Sequence, residues 1–145
     1  NFISSGRKSN LTAMTKQHLI KGLWLGFLSW LIPFVASFFF FKPGGEMLVP
    51  YATFKSIISV IGVASGSYLL YRYFGYVTKD FLRDGLLVGI SWMLINLVCD
   101  FLFLVPMAKL GPWEYLITIG ISYLAIPVMA MAMGAMRETN AKNNS

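Results

Sequence analysis

Four long apolar runs constrain the fold of this chain more than any other feature. They cover about 22–41, 51–71, 85–105 and 113–136, and each is close to the roughly 20 residues that a helix needs to cross the hydrocarbon core of a bilayer. Only 12% of the residues are charged, whereas soluble domains carry about 25%. We therefore predict an all-α integral membrane protein, a bundle of four transmembrane helices.

The polar segments between the runs divide the chain and predict its orientation. We interpret 1–21 as a basic N-terminal segment, 22–71 as a first transmembrane hairpin, 72–84 as a linker, 85–136 as a second hairpin and 137–145 as a polar tail. Basic residues concentrate on the side of the termini and the linker, which by the positive-inside rule is the cytoplasmic side. We expect both termini in the cytoplasm, with a bacterial plasma membrane as the default. The basic residues on that side are Arg7, Lys8, Lys16, Lys21, Arg72, Lys79, Arg83, Arg137 and Lys142, against Lys42 and Lys109 in the outer turns.

The two hairpins resemble each other. An offset of 63 residues aligns the first with the second without gaps and gives eleven identical pairs, Pro43 with Pro106 among them. We therefore predict two similar tandem hairpins, related by an axis along the membrane normal.

Small residues predict where the helices meet. Glycines spaced four residues apart lie on one helix face, and small side chains let the backbones of membrane helices approach. We predict that such faces pack inside the bundle or dock partner helices, either from a second copy or from another membrane subunit. The glycines concerned are Gly22, Gly26, Gly62, Gly66, Gly85 and Gly89.

A polar site is predicted within the spans. Asp100 lies inside the third apolar run, where an ionisable residue costs roughly 2.5–3.5 kcal/mol on insertion scales and calls for a partner or a function. Asp100 and Lys55 lie at similar depth, about 8 Å and about 6 Å from the outer ends of their helices at 1.5 Å per residue, so we predict an ion pair. The alternatives are a ligand or proton role, or a Lys55 side chain that snorkels to the headgroups. The complete predicted site is Asp100, Lys55, Asn96, Ser37, Ser59, Thr118 and Ser122.

Other classes of protein find little support. Cys99 and His18 are the only residues of their types, and the chain contains no nucleophile elbow, P-loop or paired carboxylates. We therefore expect no catalysis, no metal and no cofactor. The basic residues form no patch interleaved with aromatic residues, so we expect no nucleic-acid partner. Trp113 and Tyr115 lie at the start of a run, as interfacial anchors do.

Two hypotheses for the function follow. In the first, the protein is a small carrier or channel for an ion, proton or small solute that uses Lys55, Asp100 and Asn96. In the second, it is a non-catalytic membrane subunit or assembly factor that docks partner helices. A carrier requires water access to Asp100, whereas a docking subunit requires closed packing there and a glycine face left open.

Overall fold

The structure, a computed structural model, is predominantly helical, and within its described residues an isolated antiparallel bridge joins Phe41 to Met47 in the turn after the first helix. The described part of the chain comprises residues 2–78, 80–108 and 111–143, with side chains for 20–78, 80–106 and 111–143. Its α-helices are α1 (Phe2–Phe38), α2 (Tyr51–Phe74), α3 (Phe81–Cys99), α4 (Val105–Ala108), α5 (Pro112–Thr118) and α6 (Ala125–Asn143). A π-helical segment, Asp100–Leu104, joins α3 to α4, and a 3-10 segment, Gly120–Leu124, precedes α6.

Within these residues, four stretches are long and apolar enough to cross a membrane. This confirms the predicted all-helical class and the four candidate spans. The first to fourth spans are Ile20–Phe38, Tyr51–Phe74, Phe81–Leu104 and Gly120–Asn143.

The fourth apolar run is not the single helix that the sequence predicts. α5 ends at Thr118, and Ile119 leaves helical geometry with φ −120° and ψ −47°. Two residues explain the break: Gly120 is a weak helix former, and Pro127 cannot donate to the carbonyl four residues earlier. The interruption falls between Tyr115 and Tyr123, which therefore lie on two differently oriented segments.

Two other helices are longer than the apolar runs from which they were predicted. α1 begins at Phe2, about five turns before the first span, and α6 continues to Asn143 through the segment predicted as a polar tail. Hydropathy marks the part of a helix that suits lipid, and it carries no information about where the backbone hydrogen bonds stop.

Neighbouring spans form two antiparallel pairs. In the first pair the start of the first span lies against the end of α2, since Gly22 contacts Tyr73. In the second pair the start of α3 lies against the second half of α6, since the Phe81 backbone contacts Gly134 and the Leu82 N–H donates to the Glu138 carboxylate.

The two pairs meet through α1 and α3, which run parallel. The Trp92 Nε1 donates to the Gly22 carbonyl at 2.8 Å, and eight residues further along both helices Trp30 contacts Asp100. Trp92 is completely buried. A Cβ added at Gly26 would lie 2.6 Å from its ring, so this glycine makes room for the indole.

Glycines allow α3 and α6 to pack backbone to backbone. A Cβ added at Gly85 would lie 2.6 Å from the Ala130 carbonyl oxygen, and one added at Gly89 would lie 2.6 Å from the Cα of Pro127. Real Cβ atoms essentially never make contacts this short, so the helices must separate to accept a larger residue. Gly134 makes an equally close contact, because a Cβ added there would lie 2.5 Å from the Phe81 carbonyl oxygen. It is not among the packing glycines predicted from the sequence.

Gly89→Ala is therefore expected to destabilise the protein by about 1–3 kcal/mol through overpacking. The matched control is Gly62→Ala in α2, where an added Cβ would have no neighbour within 4 Å. The measurement is thermal unfolding in detergent or nanodiscs. A Gly89→Ala melting temperature equal to that of Gly62→Ala would contradict the close α3–α6 packing.

Candidate functional site

The centre of the candidate site is the carboxylate of Asp100, which is only 2% exposed. Its Oδ1 accepts a hydrogen bond from Trp30 Nε1 at 2.7 Å. Its Oδ2 accepts two, from the hydroxyl of Tyr115 at 2.7 Å and from the hydroxyl of Tyr123 at 2.5 Å. All three partners donate, which matches the acceptor-only character of an ionised carboxylate.

Four elements bring these groups together. Asp100 is the first residue of the π-helical segment, Trp30 lies on α1, Tyr115 on α5 and Tyr123 in the 3-10 segment. On an unbroken helix the two tyrosines would be about 80° apart and more than two turns distant. The break at Ile119 changes this geometry, and both hydroxyls reach one oxygen.

A second polar contact lies one helical turn from the first. Asn96 is 3% exposed, and its Nδ2 donates to the Ser29 hydroxyl at 3.1 Å and to the Trp92 carbonyl at 2.8 Å. The Ser29 hydroxyl in turn donates to the Gly26 carbonyl at 2.6 Å. Asn96 therefore joins α3 to α1, as an interhelical amide does in many membrane bundles.

The predicted ion pair between Lys55 and Asp100 is wrong. Among the described residues these two side chains form no salt bridge. The Lys55 ammonium instead donates to the backbone carbonyl of Thr118 at 2.8 Å. Thr118 is the last residue of α5, and carbonyls at a helix end lack an intrahelical donor. Asp100 has three other hydrogen-bond donors, and Lys55 instead caps the C-terminal end of α5.

The predicted hydroxyl residues do not join the Asp100 cluster, which we define as Asp100, Trp30, Tyr115 and Tyr123. Ser37 donates to the Phe34 carbonyl and Thr118 to the Glu114 carbonyl, both within their own helices. Ser59 and Ser122 are exposed. Serine and threonine hydroxyls in helices commonly donate to a backbone carbonyl of the preceding turn.

None of the three donors to Asp100 is among the site residues that the sequence predicts. Tyr115, predicted as an interfacial anchor, has a completely buried side chain. A signal was present, because a buried indole or phenol needs an acceptor and Asp100 is the only carboxylate within the apolar part of the third run. The choice among four tryptophans and seven tyrosines depends on the helix break, which hydropathy does not reveal.

The chemistry available at the site is limited. The carboxylate is enclosed by donors, and no group of three or more His, Cys, Asp or Glu side chains within the described residues is placed to hold a metal ion. The arrangement binds helices to one another through charge-assisted hydrogen bonds, which are roughly twice as strong as neutral ones.

Comparison with known protein families, with curated proteins and with solved structures finds no match for this chain.

Asp100→Asn is expected to lower the stability by more than about 3 kcal/mol, because the amide brings its own donors to a position surrounded by donors and loses the charged hydrogen bonds. The measurement is the melting temperature in detergent. Glu114→Gln, an exposed acid next to Tyr115, is the control and should melt like the parent. A parent-like melting temperature for Asp100→Asn would contradict the structural role of the carboxylate.

Tyr115→Phe removes one donor and keeps the ring. The expected loss is about 1.5–3 kcal/mol, the usual contribution of a hydrogen bond to a charged group. The combination of Tyr115→Phe with Asp100→Asn should cost less than the sum of the single changes, because both remove the same bond. Strict additivity in thermal or chemical unfolding would contradict this contact.

Proposed function

We propose that the protein is a non-catalytic membrane subunit that assembles through α2, and that the helix bound there is α2 of a second copy. The observation that carries this proposal is unfilled space beside two glycines of α2, the half-buried Gly62 and the buried Gly66, which we call the glycine strip. A Cβ added to either glycine would have no neighbouring atom within 4 Å.

The strip lies between two contacts of α2 with the fourth apolar run. At one end Lys55 donates to the Thr118 carbonyl, and at the other the Ser67 hydroxyl lies 3.5 Å from the Met129 sulfur. Between these contacts no atom of the described residues lies within 4 Å of a Cβ added to either glycine. This differs from α3, where Gly85 and Gly89 are in tight contact with α6.

The composition of the strip suits a transmembrane helix. Two glycines four residues apart let a neighbouring backbone approach closely, and such faces drive the pairing of helices in lipid. The next residues on this side, Ser59 and Val63, are exposed. A face of this kind is complementary to itself across a two-fold axis, which favours a second copy as the occupant.

The closed Asp100 cluster supports the same proposal. A carrier has to exchange its ion or proton with water, and a side chain that is 2% exposed and holds three donors is better suited to fix helices. Buried polar networks that are fully satisfied rigidify a core.

The proposed topology has both termini in the cytoplasm of a bacterial plasma membrane and two hairpins that arose by duplication. The parallel course of α1 and α3 supports equivalent hairpins, and so does the contact of Lys55 with Thr118, which are equivalent positions under the 63-residue offset. The basic side chains at the ends of the spans support the orientation.

A carrier for protons or cations is the second candidate, and one observation favours it. A π-helical segment and a 3-10 segment both meet at Asp100, and departures of this kind are frequent at functional sites. Ion flux into proteoliposomes that is present in the parent and absent in a folded Asp100→Asn protein would favour the carrier over the docking subunit.

Gly62→Ile and Gly66→Ile are expected to weaken self-association about tenfold each, the effect of about 1.4 kcal/mol of lost packing. The measurement is the dimer fraction in liposomes as a function of protein-to-lipid ratio, by energy transfer or single-molecule photobleaching. The control is Ala64→Ile, a small-to-large change at an exposed position on the opposite side of α2.

Two results would contradict the proposal: a parent protein that remains monomeric at every ratio, or glycine variants that associate like Ala64→Ile. Gly62 is the decisive position, because it is half-buried and a Cβ added there has no neighbour within 4 Å. Gly66 is buried, so its variant counts only if it folds. A melting temperature measured beside each association curve checks this point.

A further inference from the structure

Two cations and two tyrosines form a cluster where the first span begins and α2 ends. The Lys21 Nζ lies 4.7 Å from the centroid of the Tyr76 ring. The Arg72 Nη1 donates to the Tyr68 hydroxyl at 3.3 Å, and the Tyr76 hydroxyl also lies beside this guanidinium. The antiparallel course of α1 and α2 brings the four side chains to one surface.

The cations of this cluster form no salt bridge with any residue that the structure describes. Salt bridges within that part of the chain join Lys42 to Glu46 and Lys142 to Glu138. The contacts of Lys21 and Arg72 are instead with tyrosine, and both cations lie beside Tyr76. Two positive charges that share a neutral neighbour favour an anion.

The cluster also offers a neutral donor. The Tyr68 hydroxyl accepts from Arg72, so its own proton is directed to another acceptor. Tyr68 is 58% exposed and Tyr76 is 38% exposed, so a ligand can reach both. Guanidinium, ammonium and phenol together are the donor set that a phosphate group accepts from.

The position of the cluster along the spans indicates that the phosphate belongs to a lipid headgroup. Lys21 follows the first residue of the first span, and Arg72 lies two residues before the last residue of the second. This is the depth of the lipid headgroups, where tyrosine side chains are also enriched. Leu23 and Trp24, which follow Lys21 on α1, are more than half exposed and offer an apolar surface to acyl chains.

We infer that Lys21, Arg72 and the Tyr68 hydroxyl form a binding site for the phosphate of an anionic phospholipid. The lipid would lie with its headgroup in the cluster and its chains along the first span. Basic residues near a membrane surface attract anionic lipids in this way. The inference is independent of self-association through Gly62 and Gly66.

The test is native mass spectrometry of the full chain in detergent, titrated with phosphatidylglycerol. Lys21→Gln and Arg72→Gln are each expected to weaken lipid binding about fivefold, the usual effect of one basic residue at a membrane surface. Tyr68→Phe should weaken it by a similar factor with no change in charge. Arg83→Gln is the matched control, because Arg83 is an exposed cation at the same end of the bundle and outside the cluster.

The possible outcomes distinguish a specific lipid-binding site from non-specific electrostatic attraction between basic residues and anionic lipid. A loss of binding in Arg83→Gln equal to that in Arg72→Gln would overturn the inference, because diffuse charge would then explain the lipid. Displacement of the lipid by inorganic phosphate at the same concentration would also overturn it, in favour of a soluble anion. Melting temperatures are recorded in parallel. If a charge variant does not fold, Tyr68→Phe decides the result, and parent-like lipid binding in that variant would overturn the site.

Discussion

The burial of one carboxylate is the constraint on which the rest of the bundle depends. Asp100 is surrounded by hydrogen-bond donors from α1, α5 and the 3-10 segment. Without it, the buried Trp30 and Tyr115 would each hold an unsatisfied donor. The arrangement therefore fixes the positions of three elements relative to α3 at once. An apolar contact between the same helices would tolerate rotation and sliding, whereas a bond that needs both a distance and a direction does not.

The four spans differ in how firmly they are held. α3 and α6 approach backbone to backbone through glycine, and α1 is joined to α3 by Trp92, Asn96 and the Asp100 cluster. α2 packs against the second pair mainly through apolar side chains, since Leu69 and Leu70 share a buried core with Trp92 and Phe74 lies against Gly85. Its polar contacts with that pair are weaker, a lysine on a helix end and a thioether contact. The unfilled glycine strip and Arg72 with its tyrosines both lie on this helix. The polar contacts therefore join α1, α3 and the fourth span, and under the proposals made above α2 is the element that would face neighbours in the membrane.

Hydropathy predicts the number and class of the helices because the thickness of a bilayer sets the length of an apolar run. It also points to Asp100 and Asn96, since polar groups in such runs need partners. It does not predict the partners. Its charge makes Lys55 the predicted partner of Asp100, yet neutral donors bind the Asp100 carboxylate. Two of these donors, Tyr115 and Tyr123, reach it because the helix is interrupted at Ile119. We attribute that interruption to Gly120 and Pro127. They lie in a run of uniform hydropathy, so a hydropathy scale does not detect it.

The distribution of donors around Asp100 also shows how locally its hydrogen bonds are supplied. Two of the three donors follow the carboxylate by 15 and 23 residues, and the third lies on α1. A carboxylate that accepts hydrogen bonds costs far less in an apolar surrounding than a bare one. In a membrane, the part of the chain from α3 to α6 would therefore enter the hydrocarbon with most of the hydrogen bonds to its own charge, and the packing of α1 against α3 would add the last one.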